Sequence, residues 1–536
     1  MTNSADGRAR GLHFTRRDLI KTGVFAGAAV AVPVVRAVSA DNLPQLAESK
    51  LPKPFTTPFS VPPVARPVRS DASADYYRIE MRAVQAEVLP GYKTLLFGYD
   101  GFVPGPTIKA RHGRATVVRF VNNLPPTHPI LGYETTASVH LHGGASLPQY
   151  DGYASDLTPP GYYKDYHYAN EQNARGIWYH DHAHEHTAEN AYYGLAGQYH
   201  ITDDEELALG LPSGEYDVPL TIGDALFQPD GNLLFSLDNA NGQWGNVIIV
   251  NGAPWPVMKV ARRKYRFRIV TAALSRGFEF SLSTGDPYQV IATDAGLMPR
   301  PATVTSHRAV SGERYSIVID FAKYKPGTRV VLKNSLQGIN QVFTNTDKVM
   351  AFDVTDDAFD PANNTVPAVL SPNNDVMITP ASASVADRHY LLHRQGGLWK
   401  VNGHGWHDVV ASNYTLVEHK SVDGTFERWT VKNGGGGWFH PFHAHLNDCR
   451  ILSRNGQPPR PYEVGPKDVI FVDGGEEIQL LMDIHGAGKY MVHCHNLIHE
   501  DHDMMTQYEV VSDHRAEFSP FAAPSRPLSA EATDPL

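Results

Sequence analysis

Four short stretches of the sequence pair histidines two positions apart: His140-Leu141-His142, His180-Asp181-His182, His443-Ala444-His445 and His493-Cys494-His495. On a β-strand residues i and i+2 point to one face, so each stretch presents two imidazoles to the same side. If the four converge, they supply eight nitrogens, too many for one ion. Such a set suits a polynuclear centre that keeps positions open for a small substrate such as dioxygen. A single His-x-His pair is a weak signal, because core and surface histidines are common and zinc hydrolases use such pairs too. The run His180-Asp181-His182-Ala183-His184-Glu185-His186 invites a binuclear zinc hydrolase as the rival chemistry. That rival leaves a cysteine and a methionine further along the chain unexplained.

Cys494 decides the metal. It lies between His493 and His495, so its sulfur points to the strand face opposite the two imidazoles and one segment serves two sites. His440, an odd number of positions before His443, joins it, with His499 and Met504 downstream. Cysteine, two histidines and a methionine make the donor set of a blue-copper electron-transfer site, trigonal with a weak axial thioether. A donor oxidised near His440 or His499 would deliver an electron there, and the backbone from Cys494 to His493 and His495 leads to the histidine cluster. Four such steps reduce dioxygen to water. The protons required are assigned to two acids, Glu500 directly after His499 and Asp151 shortly after the first pair; for Asp151 the alternative is a plain turn residue before Gly152. Cys449 reads as a small buried hydrophobe, and His184 and His186 as solvated loop residues, with an extra metal site as the alternative.

These residues need strands to hold them. β-Branched and aromatic runs such as 115–121 and 315–321 are punctuated by Gly, Pro, Asn and Asp at short intervals, and helical periodicity is scarce. The fold class is therefore all-β, with three β-sandwich domains expected over 75–205, 206–372 and 373–515. Before them lie an export signal over 1–40 and an extended Pro-rich arm over 41–74; a C-terminal tail covers 516–536. The middle block lacks the histidine clusters. The signal has a basic start, an apolar run and Thr15-Arg16-Arg17-Asp18-Leu19-Ile20-Lys21, which resembles the twin-arginine pattern. It predicts the twin-arginine export machinery as a partner, a periplasmic or secreted location, and no stable membrane span in the mature chain. A net charge of −10 with scattered Lys and Arg argues against nucleic acid or an anionic membrane as partner.

With these motifs in hand, the chain resembles the multicopper oxidases, and among them the group of bacterial spore-coat laccases, bilirubin oxidases and phenoxazinone synthases. The resemblance rests on His140-Leu141-His142-Gly143-Gly144, Trp178-Tyr179-His180-Asp181-His182, His440-Pro441-Phe442-His443-Ala444-His445 and the segment from His493 to Met505, with Ser311-Gly312-Glu313-Arg314-Tyr315 as a lesser match. It implies three cupredoxin domains and four copper ions. By similarity His440, Cys494, His499 and Met504 hold a type 1 copper, and His140 and His443 a type 2 copper. The type 3 pair falls to His142, His180 and His495 on one ion and to His182, His445 and His493 on the other. Asp151 and Glu500 match the proton-handling acids of the group, and Trp438 matches a tryptophan beside the type 1 site. The implied activity is laccase-like: a small aromatic electron donor (a phenol, an aminophenol or a bilirubin-like molecule) is oxidised and O2 is reduced to water. Two alternatives stand beside it. A cuprous-ion oxidase serving copper tolerance is disfavoured by only 10 Met and no Met-rich segment. A non-enzymatic structural periplasmic protein is disfavoured because every ligand position is filled.

Overall fold

The structure, a computed structural model, describes residues 44–237, 239–336, 340–371, 386–435, 437–534 and 536. The export signal expected over 1–40 lies outside the described residues. Strands dominate, and they form where the sequence alternates. In Ala74–Ala86, for example, Tyr77, Ile79 and Met81 are buried on one face.

The strands form three two-sheet sandwiches of the cupredoxin kind. The first packs a sheet built on Ala74–Ala86, Ala115–Asn122 and Tyr162–Tyr168 against a four-stranded sheet of Gly105–Arg111, Ala196–Thr202, Arg175–Asp181 and Val139–His142. The second has a seven-stranded and a five-stranded sheet within 217–354. The third has two five-stranded sheets, one centred on Thr425–Asn433 and the other on Gly488–Cys494. Each sandwich contains the same parallel pairing: Ala74–Ala86 with Ala115–Asn122, Asp217–Ala225 with Lys264–Thr271, and Ala386–Gln395 with Thr425–Asn433. A threefold architectural repeat thus exists where the sequence shows none.

Apolar packing divides unequally. One continuous core runs through the first and second sandwiches, whereas the third has its own, which encloses Phe442, Cys449, Cys494 and Met504. Cys449 is buried there as a small hydrophobe. The C-terminal segment is more than a tail. Its strand Arg526–Pro527 pairs with Tyr162 and Tyr163 of the first sandwich, and Glu531 accepts from Arg78 at 2.7 Å, so the end of the chain clasps the first domain.

Candidate metal centre

The four His-x-His stretches lie on two pairs of neighbouring strands. In the first sandwich Val139–His142 runs antiparallel to Arg175–Asp181, with His140 opposite His180. In the third His440–Ala444 runs antiparallel to Gly488–Cys494, with His443 opposite His493 and Phe442 opposite Cys494. The ladder continues past the strand ends, since His495 N–H donates to the Pro441 carbonyl at 2.6 Å and His182 N–H to that of Ser138 at 2.7 Å. All eight imidazoles are buried and face one another between the two domains. They gather as His142, His180 and His495; as His182, His445 and His493; and as His140 with His443 and His445.

Orientation is controlled from outside the cluster. His140 Nδ1 lies 2.5 Å from the Asp151 carbonyl, His180 Nδ1 2.8 Å from its neighbour's carbonyl, and His443 Nδ1 2.8 Å from that of Asp468. His445 Nδ1 meets the Asp151 carboxylate at 2.8 Å, His495 Nδ1 the Ser311 hydroxyl at 3.1 Å, and His493 Nδ1 lies 2.9 Å from Glu500. Each of these rings therefore turns Nε2 inward. His142 is reversed: its Nε2 faces Asp468 at 3.3 Å, and its Nδ1 points inward, 3.1 Å from His495 Nε2.

Cys494 points the other way, into the third-domain core. Its Sγ lies 3.3 Å from His440 Nδ1 and 3.7 Å from His499 Nδ1, and those two nitrogens are 3.3 Å apart. His499 is fixed by donating Nε2–H to the Asn241 carbonyl at 2.8 Å, which leaves Nδ1 as a bare lone pair facing the sulfur. Met504 is buried in the same core, and its carbonyl accepts from Cys494 N–H at 3.1 Å. The structure thus brings the eight paired histidines, Asp151 and Glu500 to one place and His440, Cys494 and His499 to the other, with Met504 buried in the core around the second.

Asp151 and Glu500 are both fully buried against cluster imidazoles. Asp151 is also the turn residue of the alternative reading. Gly152 after it has φ +74°, and a Cβ there would sit 2.5 Å from the Val139 carbonyl, so only glycine lets the turn press onto the His140 strand. Burial holds the Asp151 carboxyl above its ordinary pKa, with His140 opposing.

One expectation is corrected. His184 and His186 are not solvated loop residues: the His186 ring stacks on Tyr133 at 4.1 Å, and the His184 ring packs on His407 at 5.1 Å. The turn that carries them leads into the helix Thr187–Tyr192, which draws both rings against the protein.

Sequence reasoning missed several partners. Trp399 stacks on His499 at 4.1 Å, and Trp244 stacks at 5.6 Å on Trp438, the tryptophan expected beside the site, which meets the His499 ring edge-on at 5.6 Å. Trp399 comes from a strand with no spacing relation to the histidines, and Trp244 and Asn241 from a loop of the middle domain. Tryptophan is scarce, 7 in all, and three of the seven gather at this one imidazole.

Two family models described as multicopper oxidase match residues 80–206 and 385–514. The chain is 41% identical over 503 residues to a bilirubin oxidase of Albifimbria verrucaria, covering 88% of this chain and 84% of that one. It is 34% identical to a laccase of Bacillus subtilis, covering 86% of this chain and 99% of the relative. The chain belongs to the multicopper oxidases. Among solved structures, a multicopper oxidase from Pediococcus acidilactici superposes with a TM-score of 0.77 at 26% identity, covering 88% of this chain and 94% of the other. McoA from Aquifex aeolicus gives 0.74 at 28%, covering 85% and 99%. As a multicopper oxidase the protein is an oxidoreductase with O2 as acceptor, and its cofactors are four copper ions.

The residues present fit copper. His140, His180 and His443 leave Nε2 buried with no hydrogen-bond partner, which costs about 1–3 kcal/mol each unless a cation takes the lone pair. Burial keeps the cluster imidazoles His142, His180, His182, His443, His445 and His495 far below their ordinary pKa, so they are neutral, as metal ligation requires. Burial also pushes the Cys494 thiol up, and a thiolate at this depth requires a metal ion against it.

Proposed function

We propose that His440, Cys494, His499 and Met504 hold the copper that accepts electrons from the donor, and that His140 and His443 hold one copper of the cluster. The triads His142, His180, His495 and His182, His445, His493 are assigned to the other two. The observation that carries this reading is the strand Gly488–Cys494 with its continuation to His495. A sulfur lies on its core side and two imidazoles on its interdomain side, joined by covalent bonds. When bound, copper supplies the one-electron chemistry by which four electrons from an organic donor, with four protons, convert dioxygen to two waters. Asp151 and Glu500 hold and orient the protons at the cluster, which their contacts with His445 and His493 support.

The donor is read as small and aromatic. The half-buried, stacked pair Trp244 and Trp438 offers a planar molecule a π surface one ring away from His499. Arg394, its guanidinium 5.1 Å from the Trp399 ring, adds positive charge at this edge. That favours donors with an acidic substituent among the phenols, aminophenols and tetrapyrroles. The twin-arginine motif supports export of the folded chain to the periplasm or beyond.

The test is copper content and visible absorption of the copper-loaded protein, followed by oxygen uptake on phenols, aminophenols, bilirubin and cuprous ion. About four coppers per chain, intense copper–thiolate absorption and turnover of aromatic donors are expected. Absence of the copper–thiolate band would sink the ligand assignment, and preferential oxidation of cuprous ion would replace the aromatic donor. Replacing Arg16 and Arg17 by Lys is expected to retain the protein in the cytoplasm on cell fractionation.

A further inference from the structure

The middle sandwich supplies none of the paired histidines, yet one of its loops reaches the cluster. Ser311 and Gly312 lie between strands Ser306–Ala309 and Arg314–Asp320, and a Cβ on Gly312 (φ +85°) would stand 2.8 Å from the His495 ring. The Ser311 hydroxyl lies 3.1 Å from His495 Nδ1. Arg314 donates both terminal nitrogens to the two oxygens of Asp468 at 2.5 Å, and it is buried with that acid. Asp468 in turn faces His142 Nε2 at 3.3 Å and takes His443 Nδ1 on its carbonyl at 2.8 Å.

Asp468 also lies within ligand distance of His142 and His443. Its charge is matched by the Arg314 fork and its Oδ1 also faces His142 Nε2, so it serves as an acceptor for that ring and not as a ligand. The fork holds the carboxylate as a fixed acceptor beside His142. Behind it, Asp294 accepts Arg314 N–H at 2.7 Å, and Lys467 bridges Asp294 and Glu313 at 2.9 Å each, so the acceptor is braced by buried charges from both domains.

We propose that Ser311, Arg314 and Asp468 are positioning residues for one copper of the cluster. Arg314 locks Asp468, Asp468 forces His142 to present Nδ1 instead of Nε2, and Ser311 fixes His495 in the same triad. The middle domain is then the jig for the triad His142, His180, His495 and not merely a spacer. The inference rests on the ligand assignment above. It explains two otherwise unconnected observations, the single reversed imidazole and the packing of a histidine-free domain against the cluster.

Ser311→Ala, Ser311→Thr and Asp468→Asn, loaded with copper, are titrated with a copper chelator while released copper and the copper–thiolate absorption are followed together. Loss of such outer partners weakens metal retention roughly 10- to 100-fold. Ser311→Ala and Asp468→Asn are expected to release cluster copper at correspondingly lower chelator concentration with the thiolate band intact, and Ser311→Thr to behave as wild type. The melting temperature of metal-free Ser311→Ala should equal that of wild type, which separates positioning from folding. If Asp468→Asn does not fold, the Ser311 pair decides the matter. Wild-type retention in Ser311→Ala overturns the inference alone; a wild type that takes up no cluster copper overturns the ligand assignment and the inference with it.

Discussion

The two faces of Gly488–Cys494 carry two sites built on different plans. The sulfur site draws its candidate ligands from one domain: Cys494, His440 and Met504 lie on or beside strands of the third sandwich and His499 on the short helix Leu497–Asp501, with one contact from the middle domain, the Asn241 carbonyl, orienting His499. The histidine cluster belongs to no domain. Half of its imidazoles come from the first sandwich and half from the third, and their outer partners come from all three. A site inside a core is protected by the cooperativity of that core, whereas a site between domains depends on how the domains meet. The sulfur site should therefore tolerate small changes in domain packing that disable the cluster.

The largest separation of the two sites is expected from Cys494→Ser. It removes the soft ligand while leaving the imidazoles in place, so visible copper–thiolate absorption disappears and donor oxidation falls on the order of 10³-fold or more. Cluster copper is retained by metal analysis. Turnover that survived in this variant would break the electron path from one face to the other. Glu500→Gln is the converse. Anaerobic bleaching of the copper–thiolate band by donor should proceed as in wild type, while oxygen consumption drops about 10²- to 10⁴-fold, the usual span for losing a positioned proton donor. Slowed bleaching would move Glu500 to the donor side.

Acid should distinguish the sites in the metal-free protein. Burial lowers His440 to about 3 and holds the cluster imidazoles His142, His180, His182, His443, His445 and His495 well below the ordinary value of 6.5. Unfolding returns each to that ordinary value, so below pH 6.5 the unfolded chain binds more protons than the folded one. Stability is then full above that pH and falls as pH drops toward the folded values, by up to about 1.4 kcal/mol per unit for each such group. Because the cluster holds most of these groups, hydrogen exchange at falling pH should open Val139–His142 and Arg175–Asp181 before Thr425–Asn433 and Glu477–Ile484. Simultaneous opening would contradict a cluster that depends on the domain interface.

The candidate ligands were legible in the sequence because strand periodicity converts spacing into direction: His-x-His puts two rings on one face, and His-Cys-His puts the sulfur on the other. The all-β class followed from the same reading of strand-like runs. What holds the ligands in orientation was legible only in part. Asp151 and Glu500 were assigned to the cluster and Ser311-Gly312-Glu313-Arg314-Tyr315 stood out as a match without a role, whereas Asp468 and Asn241 act from segments whose local pattern does not say which strand they will face. His184 and His186 were misread as solvated because their turn looked like a loop, while Tyr133 and His407, which cover them, lie far off in the chain. The C-terminal segment was read as a tail for the same reason, since its partner strand Tyr162–Tyr168 lies in the first domain.

The smallest effect sharpens the comparison at the outer edge of the sulfur site. Trp244 belongs to the middle domain and touches no ligand; it reaches His499 only through Trp438. An aromatic donor stacked there gains about 0.5–1.5 kcal/mol from the ring. Trp244→Ala should therefore lower kcat/KM for aromatic donors roughly 2- to 10-fold. The copper–thiolate band and the KM for dioxygen should not change, because neither the third-domain core nor the cluster loses a contact. A shifted band would mean that Trp244 holds Trp438 against His499 and so acts on the site itself. An unchanged kcat/KM would place the donor elsewhere on the rim, next to Arg394 instead of on the stacked pair.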